Sequence, residues 1–585
     1  MQGVSFRVSD MFLLRMILFC LCLSAPEIYG MPPEDPIRCD GSDCVLSNAY
    51  GSWLDRRDCH VSKVAYPATE QELVALVAGA SKNSQKVKVV SAFSHTIPKL
   101  ACPDQTPGAL LISTAKYNSN IELDLDDMAV TADAGVGLRS LIDRVEEANV
   151  SLAASPYWEG VSIGGLISTG SHGSSWWGRG GSVHDHVVGL ILVVPASASE
   201  GHAKVLNLKE GDPLLKAAKV SLGLLGVISK VKLRLEPGFK RSVTFNFTDD
   251  SSFENEFTDL AKSHEFADIT WYPSRKTAVY RYDDRVPLIT QGDGSYDFLG
   301  FQSNSVLISE SVRFAEKQLE KAKSVKGKCA VAATTLAYKK LIANGLKNDK
   351  LLFSGYPVVG RQGKMQTAGS CLYTPEWRKD VSCAWDPRIS GLFFYESTAI
   401  FPASRFAGFI RDVRKLRGLM SPDSFCGVDV YNGFLIRFIK ASDAYLGQSE
   451  DSVVVDFNYY RADEATTPRL SQDVWEEVEQ LAFFKHGAKP HWAKNRNLAF
   501  LNVHKKYQNY DKFLAAKKQL DPDNLFSSGF SDDLLMGKAA GMTKTDGCAL
   551  EGQCVCSEDR HCSPQNGYLC KPGLVYTEAR VCRSS

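Results

Sequence analysis

Glycine is concentrated in one stretch of the chain, residues 159–190, whose sequence is EGVSIGGLISTGSHGSSWWGRGGSVHDHVVGL. Glycine lets a backbone adopt positive φ and approach a ligand closely, and successive N–H groups in such turns can hold a pyrophosphate. The spacing is neither GxGxxG nor a P-loop. We predict phosphate-binding contacts here, with a turn-rich surface loop as the alternative. The residues expected to make these contacts are Gly164, Gly165, Ser168, Thr169, Gly170, His172 and Gly173.

Helix and strand patterns alternate around this stretch. Thr69, with Glu72 three positions later, predicts a capped helix start, and a second helix is expected over 138–147. The apolar run VVGLILVV at 187–194 has the length of a buried strand. Other strand patterns lie at 86–90, 109–113, 128–132 and 230–235. This mixture predicts an α+β fold.

The chain has 585 residues, which is too long for one hydrophobic core, so two or more domains are expected. It holds 67 Lys and Arg against 67 Asp and Glu, and no stretch forms a basic stripe. A general polyanion binder usually has a basic excess. We therefore expect no nucleic-acid partner.

The N-terminus has the pattern of a secretory signal. Arg7 and Arg15 precede the short apolar core MILFCLCL at 16–23, and small residues follow, with Ala25 and Gly30 as candidate cleavage positions. The core is shorter than the ~20 residues that span a bilayer. A cleaved signal over 1–30 and a secreted protein without stable membrane insertion are predicted. An uncleaved interfacial anchor is the alternative.

Cysteine usage agrees with an oxidising compartment. The chain has 16 cysteines, and removing Cys20 and Cys22 with the signal leaves an even number. Two glycosylation sequons begin at Asn149 and Asn246. The region 31–59 is a cysteine-containing lead-in, and six cysteines cluster in a tail over 545–585. We predict disulfides in the tail, with no pairing chosen, and a zinc module is the alternative.

After about residue 245 the sequence changes character. Strand-like runs at 391–395 and 452–460 mix with helical patterns at 313–323 and 404–414, and a further helix is expected over 507–518. We predict a second α+β domain. The expected domains are 60–242 and 243–530, followed by the six-cysteine tail.

Two further motifs place chemically useful side chains together. VKVVSAFSHTIP at 87–98 is a strand that leads into a turn with Ser94, His95 and Thr96, and His95 is a candidate cofactor contact. In HWAK, the side chains of His491 and Lys494 supply hydrogen-bond donors, and the lysine charge suits an anionic intermediate. Taken alone, each motif favours the simpler explanation: a hydrogen-bonded turn histidine for His95, and a solvent-facing lysine beside a packed tryptophan for HWAK.

Together these motifs resemble the vanillyl-alcohol-oxidase-type flavoproteins, and within them the aldonolactone oxidoreductases. The matching order is Tyr66-Pro67 with its helix, VKVV and SH, GGLISTGSHG, SLGLLGVI at 221–228, PHWAK at 490–494 and LDPDNLF at 520–526. The match covers roughly residues 55–530. The signal and the cysteine-rich tail resemble the plant-type L-gulonolactone oxidase group in particular.

The resemblance implies a two-lobed FAD-binding PCMH-type domain and a cap domain over the flavin, with the chain end near 520–528 returning to the FAD domain. It also implies oxidation of an aldonolactone, such as L-gulono-1,4-lactone, at C2, with O2 reduced to H2O2 and ascorbate as product. No metal is implied. Further FAD contacts are implied for Ser91, Phe93, Ser94, His95, Thr96, Gly226, Val227 and Ile228.

Two departures from the family pattern bear on the site. Covalent members have Gly-His-Ser after the first strand; here an ungapped alignment puts Ser94 at the histidine position, and a one-residue insertion puts His95 there. Covalent attachment of FAD through His95 and non-covalent binding therefore both stay open. In the cap, the family's Glu-x-Arg is FLIRF, with Leu435 in place of the glutamate, which predicts an altered or weakened substrate preference.

Catalytic roles are expected for Arg437, Lys494 and His491. Arg437 is predicted to stabilise negative charge on the reduced flavin. Lys494 is expected to assist it or orient the lactone, and His491 to lie behind them or to help with the hydroxyl proton. Another carbohydrate, alditol or cytokinin oxidase on the same scaffold, and a flavin-free secreted binding protein, are the alternatives.

Overall fold

The computed structural model describes residues 36–41, 43–46, 59–92, 98–103, 108–294, 304–342, 357–365, 381–382, 394–429 and 433–585. The expected signal segment and most of the lead-in lie outside the described residues, as do Phe93, Ser94, His95 and Thr96. The described part mixes helices with several sheets, which confirms the α+β prediction. No helix in these ranges is long and apolar enough to cross a membrane.

The first half of the chain forms four small sheets. Strands β4, β6 and β5 are parallel, and a five-stranded antiparallel sheet has the order β11-β10-β12-β8-β7. The apolar run at 187–194 forms β10, the second strand of that sheet, as its pattern predicts. The strands are β1 (Ile37–Asp40), β2 (Asp43–Leu46), β3 (Cys59–Val61), β4 (Lys63–Ala65), β5 (Val87–Val90), β6 (Leu110–Ser113), β7 (Ile121–Asp124), β8 (Ala129–Asp133), β9 (Val150–Ser151), β10 (Val187–Pro195), β11 (Ala203–Lys209), β12 (Val227–Arg234) and β13 (Glu236–Pro237).

Helices cover these sheets. Thr69 caps the first helix, accepting a hydrogen bond from the Glu72 N–H at 3.2 Å, while the Glu72 carboxylate binds the N–H of Ala68 at 2.7 Å. This is a capping box displaced by one residue. The helices of this half are α1 (Glu70–Lys82), α2 (Pro98–Ala101), α3 (Leu138–Glu147), α4 (Ile163–Ser168) and α5 (Pro213–Ala218).

The second half is built on one eight-stranded antiparallel sheet, ordered β18-β14-β16-β15-β21-β22-β20-β23. Aromatic side chains such as Phe257, Phe406 and Trp475 fill the core between this sheet and its helices. The strands here are β14 (Lys240–Asp249), β15 (Asp268–Tyr272), β16 (Thr277–Val286), β17 (Asn304–Ser305), β18 (Val358–Arg361), β19 (Val381–Ser382), β20 (Phe394–Pro402), β21 (Phe434–Ile439), β22 (Ser452–Tyr460) and β23 (Lys489–Pro490). The helices are α6 (Phe253–Ser263), α7 (Val306–Lys321), α8 (Val325–Ile342), α9 (Ala403–Leu419), α10 (Cys426–Asp429) and α11 (Gln472–Gln480).

The chain then returns to the first half. Helices α12 (Tyr510–Leu520) and α13 (Gly529–Leu535) place Phe513 and Leu534 in the same core cluster as Val130 and Leu141. The N–H of Val87 donates to the carbonyl of residue 525 at 2.8 Å. The hydrophobic core of the first half therefore includes residues that lie more than 260 positions after its last strand, β13.

Disulfides hold the tail and the edges of the fold. The six tail cysteines pair as Cys548–Cys554, Cys556–Cys570 and Cys562–Cys582 around the hairpin of β24 (Tyr568–Pro572) and β25 (Arg580–Ser584). These pairings use all six tail sulfurs, so the predicted disulfide tail, not the zinc alternative, is what the structure shows. Three further described pairs are Cys39–Cys44, Cys59–Cys102 and Cys329–Cys426.

Candidate active site

A cleft of about 1020 Å3, including the part open to solvent, lies between the parallel sheet, α4 and the loop before β12. Among the described residues of the second half, only Ala493, within HWAK, lines the cleft. Among the residues predicted to bind a cofactor, those that line the cleft are Ser91, Gly164, Gly165, Ser168, Thr169, Gly226 and Ile228, while Gly170, His172, Gly173 and Val227 do not.

The glycine N–H groups do not act as the sequence suggests. Those of Gly164, Gly165, Gly170 and Gly173 each donate to an acceptor within the protein, at 2.7 to 3.2 Å. The expectation of successive free amides in this stretch is therefore wrong. The physical reason is that neighbouring segments and the helix cap supply acceptors: Gly164 donates to the Ala134 carbonyl, Gly165 to the Ser162 hydroxyl and Gly173 to the Gly181 carbonyl.

These glycines instead allow close approach. A Cβ added at Gly164 would come within 2.9 Å of the Ala134 side chain, and one at Gly173 within 2.5 Å of the Ser155 carbonyl oxygen. Gly165 differs, because it is exposed on the cleft side and a Cβ there would meet only the Ser162 hydroxyl, at 3.1 Å. At Gly165 no side chain covers the backbone where it lines the cleft, which lets a ligand approach α4 closely there.

A cluster of charged side chains lies beside the cleft. Arg437 on β21 pairs with Asp456 on β22, with Nη2 and Oδ2 2.5 Å apart, and Lys494 Nζ lies 3.1 Å from Asp456 Oδ1. The Thr398 hydroxyl also donates to this carboxylate. The cleft-lining residue Ala493 directly precedes Lys494. The structure therefore brings together Arg437 and Lys494, which are 57 positions apart in sequence.

One carboxylate is shared by two cations. Burial alone would raise the pKa of Asp456, but the positive charges of Arg437 and Lys494 outweigh it and hold the pKa well below its usual range. Asp456 is therefore ionised throughout the physiological range. Among the described residues, two cations therefore share one ionised carboxylate, which places positive charge where it favours an anion or developing negative charge nearby.

Two neutral imidazoles complete the cluster. The rings of His172 and His491 have centroids 5.3 Å apart, and the Arg437 Nη1 donates to the His172 carbonyl at 3.2 Å. Burial, followed by the charge of Lys494, lowers the pKa of His491 to about 3. Burial, followed by the charge of Arg437, lowers the pKa of His172 well below its ordinary value. Both rings are therefore uncharged at neutral pH and add no positive charge to the cluster.

Asp456 is the functional residue that sequence reasoning missed. It pairs directly across from Leu435, because β21 and β22 are antiparallel with those two residues as partners. Opposite residues in such a pair share one face of the sheet, and Arg437, two positions along, shares that face as well. The carboxylate expected at position 435 is thus supplied by the neighbouring strand. The available signal was one acidic residue inside the apolar run SVVVDFNYY.

Leu435 itself faces an apolar group. It packs in a cluster with Tyr157, Val243, Val358 and Met365. The Tyr157 ring also lies under the Arg437 guanidinium, 5.4 Å from centroid to carbon. Leu435, at the position where the family has a glutamate, is therefore part of an apolar surface beside the charged cluster.

The fold and the cleft define the class of protein. A family model described as an FAD binding domain matches residues 61–198, which hold the glycine-rich floor. The fold resembles that of a solvent-stable cholesterol oxidase, with a TM-score of 0.62, 16% identity, and coverage of 86% of this chain and 100% of that one. A cholesterol oxidase from B. sterolicum gives 0.61 at 15% identity, covering 87% of this chain and all of the other. The protein is an FAD-binding flavoprotein.

The chain belongs to the L-gulonolactone oxidase family. It is 64% identical to L-gulonolactone oxidase 3 of Arabidopsis thaliana over 95% of each chain, and 44% identical to L-gulonolactone oxidase 5 of the same plant over 97% of this chain and 96% of that one. A D-arabinono-1,4-lactone oxidase model matches residues 402–534, and an L-gulonolactone oxidase 2-like C-terminal domain matches 545–584. These matches confirm the resemblance seen in the sequence.

FAD fits the residues of the cleft. The exposed backbone at Gly165 lets a cofactor approach α4 without meeting a side chain of that residue. The hydroxyls of Ser168 and Thr169 donate to helix carbonyls at 2.7 and 3.0 Å and line the cleft with small polar groups. The cap-side wall is Ala493, a small side chain that joins the cleft to the positive cluster.

Proposed function

We propose that the protein is an FAD-dependent oxidase of L-gulono-1,4-lactone or a related aldonolactone. It oxidises the C2 hydroxyl, and the 2-keto product rearranges to ascorbate. The observation that supports this most directly is the shared carboxylate: Asp456 holds the cations Arg437 and Lys494 together beside the cleft. FAD, when bound, accepts the hydride from C2 and passes two electrons to O2, which is released as H2O2.

The residues of this chain supply charge and hydrogen bonds to that reaction. Arg437 stabilises negative charge that develops as the hydride moves, because its guanidinium is buried and cannot be screened by water. Lys494, more exposed at 19%, orients the lactone. Asp456 holds both cations in place and keeps them from repelling each other.

His491 serves as a hydrogen-bond donor in this scheme. Its Nδ1 accepts the N–H of Ala493 at 3.1 Å. In a neutral imidazole the other nitrogen then carries the proton, so Nε2–H is a donor towards a lactone oxygen. The hypothesis from sequence that His491 helps with the hydroxyl proton is thus refined: in this tautomer it binds an oxygen and does not remove a proton from it.

The proposed activity is tested by a peroxide assay of the purified protein. Wild-type protein with its visible flavin spectrum is expected to produce H2O2 with L-gulono-, L-galactono- or D-arabinono-1,4-lactone. A simple alditol of similar size serves as the control substrate. A colourless protein, or a flavin-containing protein that turns over the alditol and none of the lactones, would contradict the proposal.

We also propose that FAD is bound covalently through His95. The segment that holds His95 lies outside the described residues, and Ser91 at the end of its strand lines the cleft. After acid precipitation, yellow colour is expected to stay with the wild-type chain and with Ser94→Ala, and to be released from His95→Ala. Colour that leaves the wild-type chain would show that FAD is not covalently bound. Colour that stays with His95→Ala would show that FAD is attached to another residue.

Secretion and glycosylation complete the proposal. The six described disulfides suit an oxidising compartment, and the sequon residues Asn149 and Asn246 are exposed. We assign 1–30 as the signal peptide, 60–242 as the FAD-binding domain, 243–530 as the cap with its returning end, and 545–585 as the tail.

A further inference from the structure

One buried arginine, Arg496, connects the tail to the loop that holds Lys494. Its side chain is 1% exposed. The Nη1 donates to the backbone carbonyls of Ala549 and Leu550 in the tail, at 3.3 and 3.2 Å. On its other side the guanidinium forms an ion pair with the fully buried Glu479 of α11, with Nε 3.2 Å from Oε2. The planar fork of arginine allows both sets of bonds at once.

From Glu479 the hydrogen bonds continue to the charged cluster. The Ser397 hydroxyl donates to Glu479 Oε1 at 3.2 Å, and the next residue, Thr398, donates its hydroxyl to Asp456. Asn495, which precedes Arg496, clamps the Thr398 backbone: its Oδ1 accepts the N–H at 2.8 Å, and its Nδ2 donates to the carbonyl at 3.1 Å. A continuous set of buried contacts thus joins the tail carbonyls to the carboxylate that holds both cations.

The tail is itself anchored firmly on α11. All nine residues of that helix are buried. The Glu477 carboxylate accepts three successive tail N–H groups, at 2.8, 2.6 and 3.1 Å, from Leu574, Val575 and Tyr576. The Cys582 N–H donates to Glu476 at 2.7 Å. Hydrogen bonds to carboxylates are stronger than neutral ones, so the tail forms a fixed surface against which Arg496 rests.

Gly552 sets the distance between the tail and Arg496. Its φ is +66°, and a Cβ added there would come within 2.6 Å of the Arg496 side chain. Its carbonyl accepts the N–H of Leu498 at 3.1 Å. Glycine therefore permits the close packing at this point, and any side chain would push against the arginine.

We infer that the disulfide-rich tail is a brace for the active site, and that Arg496 is the positioning residue through which it holds Lys494 and Asp456. This inference rests on the proposed function only in taking Lys494 and Asp456 as the groups that serve the reaction. The tail contributes no residue to the cleft lining, so it acts on the reaction by fixing the loop 491–496.

The test compares two tail variants of the full-length, FAD-loaded protein. Gly552→Ala is expected to displace Arg496. Gly567→Ala is the control: it also places an alanine at a positive φ (+77°), with a similar cost in backbone strain, but its Cβ meets only the Ser585 hydroxyl, at 3.4 Å. We measure kcat with the lactone and the affinity of the oxidised flavin for sulfite, an anion that senses nearby positive charge. Gly552→Ala is expected to lower both by about 10- to 100-fold, because small displacements at a site are costly. Gly567→Ala is expected to stay near wild type.

The outcomes separate the brace from the proposed function. Equal sulfite affinity and equal kcat in the two variants would overturn the brace. Should Gly552→Ala fail to fold, Arg496→Lys, which keeps the charge but loses the fork, must show the weakened sulfite affinity, and a wild-type value would overturn the inference. Inactivity of wild type on every lactone refutes the proposed function alone, since sulfite binding still compares the variants.

Discussion

Replacement of Asp456 by asparagine is expected to lower kcat/KM for the lactone about 100- to 1,000-fold. Losing a preorganised electrostatic arrangement costs ~2.7–4 kcal/mol in comparable sites, and each 1.4 kcal/mol in a barrier is about tenfold in rate. Here two cations, Arg437 and Lys494, lose the same counterion. Steady-state peroxide production by the purified variant measures the effect, and the flavin spectrum shows whether FAD is retained.

Asp463→Asn is the matched control, because that carboxylate is 52% exposed and pairs with Lys317 on the surface; its activity should equal wild type.

A second comparison uses the cross-strand pairing. Asp456→Leu combined with Leu435→Glu returns a carboxylate to the same face from the other strand. The double variant should exceed Asp456→Leu alone by at least about tenfold, as coupled neighbours do. Wild-type activity in Asp456→Asn would show that the carboxylate is dispensable.

Lys494→Ala is expected to lower kcat about 100-fold while FAD stays bound. Without this lysine, the cluster loses one of the two cations that share Asp456. Losing one preorganised electrostatic group costs ~2.7–4 kcal/mol in comparable sites. Because Lys494 is 19% exposed, the lower end of that range is the better guide. Rapid reduction of the bound flavin by excess lactone, followed by its absorbance, measures the chemical step directly.

Lys505→Ala provides the control for this prediction, since Lys505 is exposed and lies on the same chain segment after the loop. It should reduce flavin at the wild-type rate. A Lys494→Ala protein that keeps FAD and shows full turnover removes Lys494 from the mechanism. The positive charge of Arg437 would then be sufficient by itself.

Much of the fold follows from local sequence signals. The helix expected over 138–147 has those bounds in the structure, and the Thr69 cap and the apolar strand at 187–194 lie where their patterns put them. Caps and periodic patterns act over a few residues, so they can be recognised without knowing the partner elements. The predicted helix at 507–518 is shifted to 510–520, within the usual uncertainty of helix ends.

The site depends more on long-range pairing. Arg437 and Lys494 were found through family motifs, but Asp456 was not, because its meeting with both cations requires the register of β21 against β22. The glycine stretch shows the opposite error. Some of its residues line the cleft, whereas the state of their N–H groups depends on acceptors such as the Ala134 and Gly181 carbonyls, which the fold brings close. A motif identifies residue types; hydrogen-bond accounting needs the folded backbone.

The contact between Val87 and the carbonyl of residue 525 has a consequence for biosynthesis. A nascent chain that has emerged only as far as the cap lacks Phe513 and Leu534, so the hydrophobic core beneath the flavin cleft remains open until the final segments leave the ribosome. We therefore expect the cofactor to bind only once translation is nearly finished. A chain released early should be recognised as unfinished by quality-control proteases, not accumulate as a flavin-loaded half.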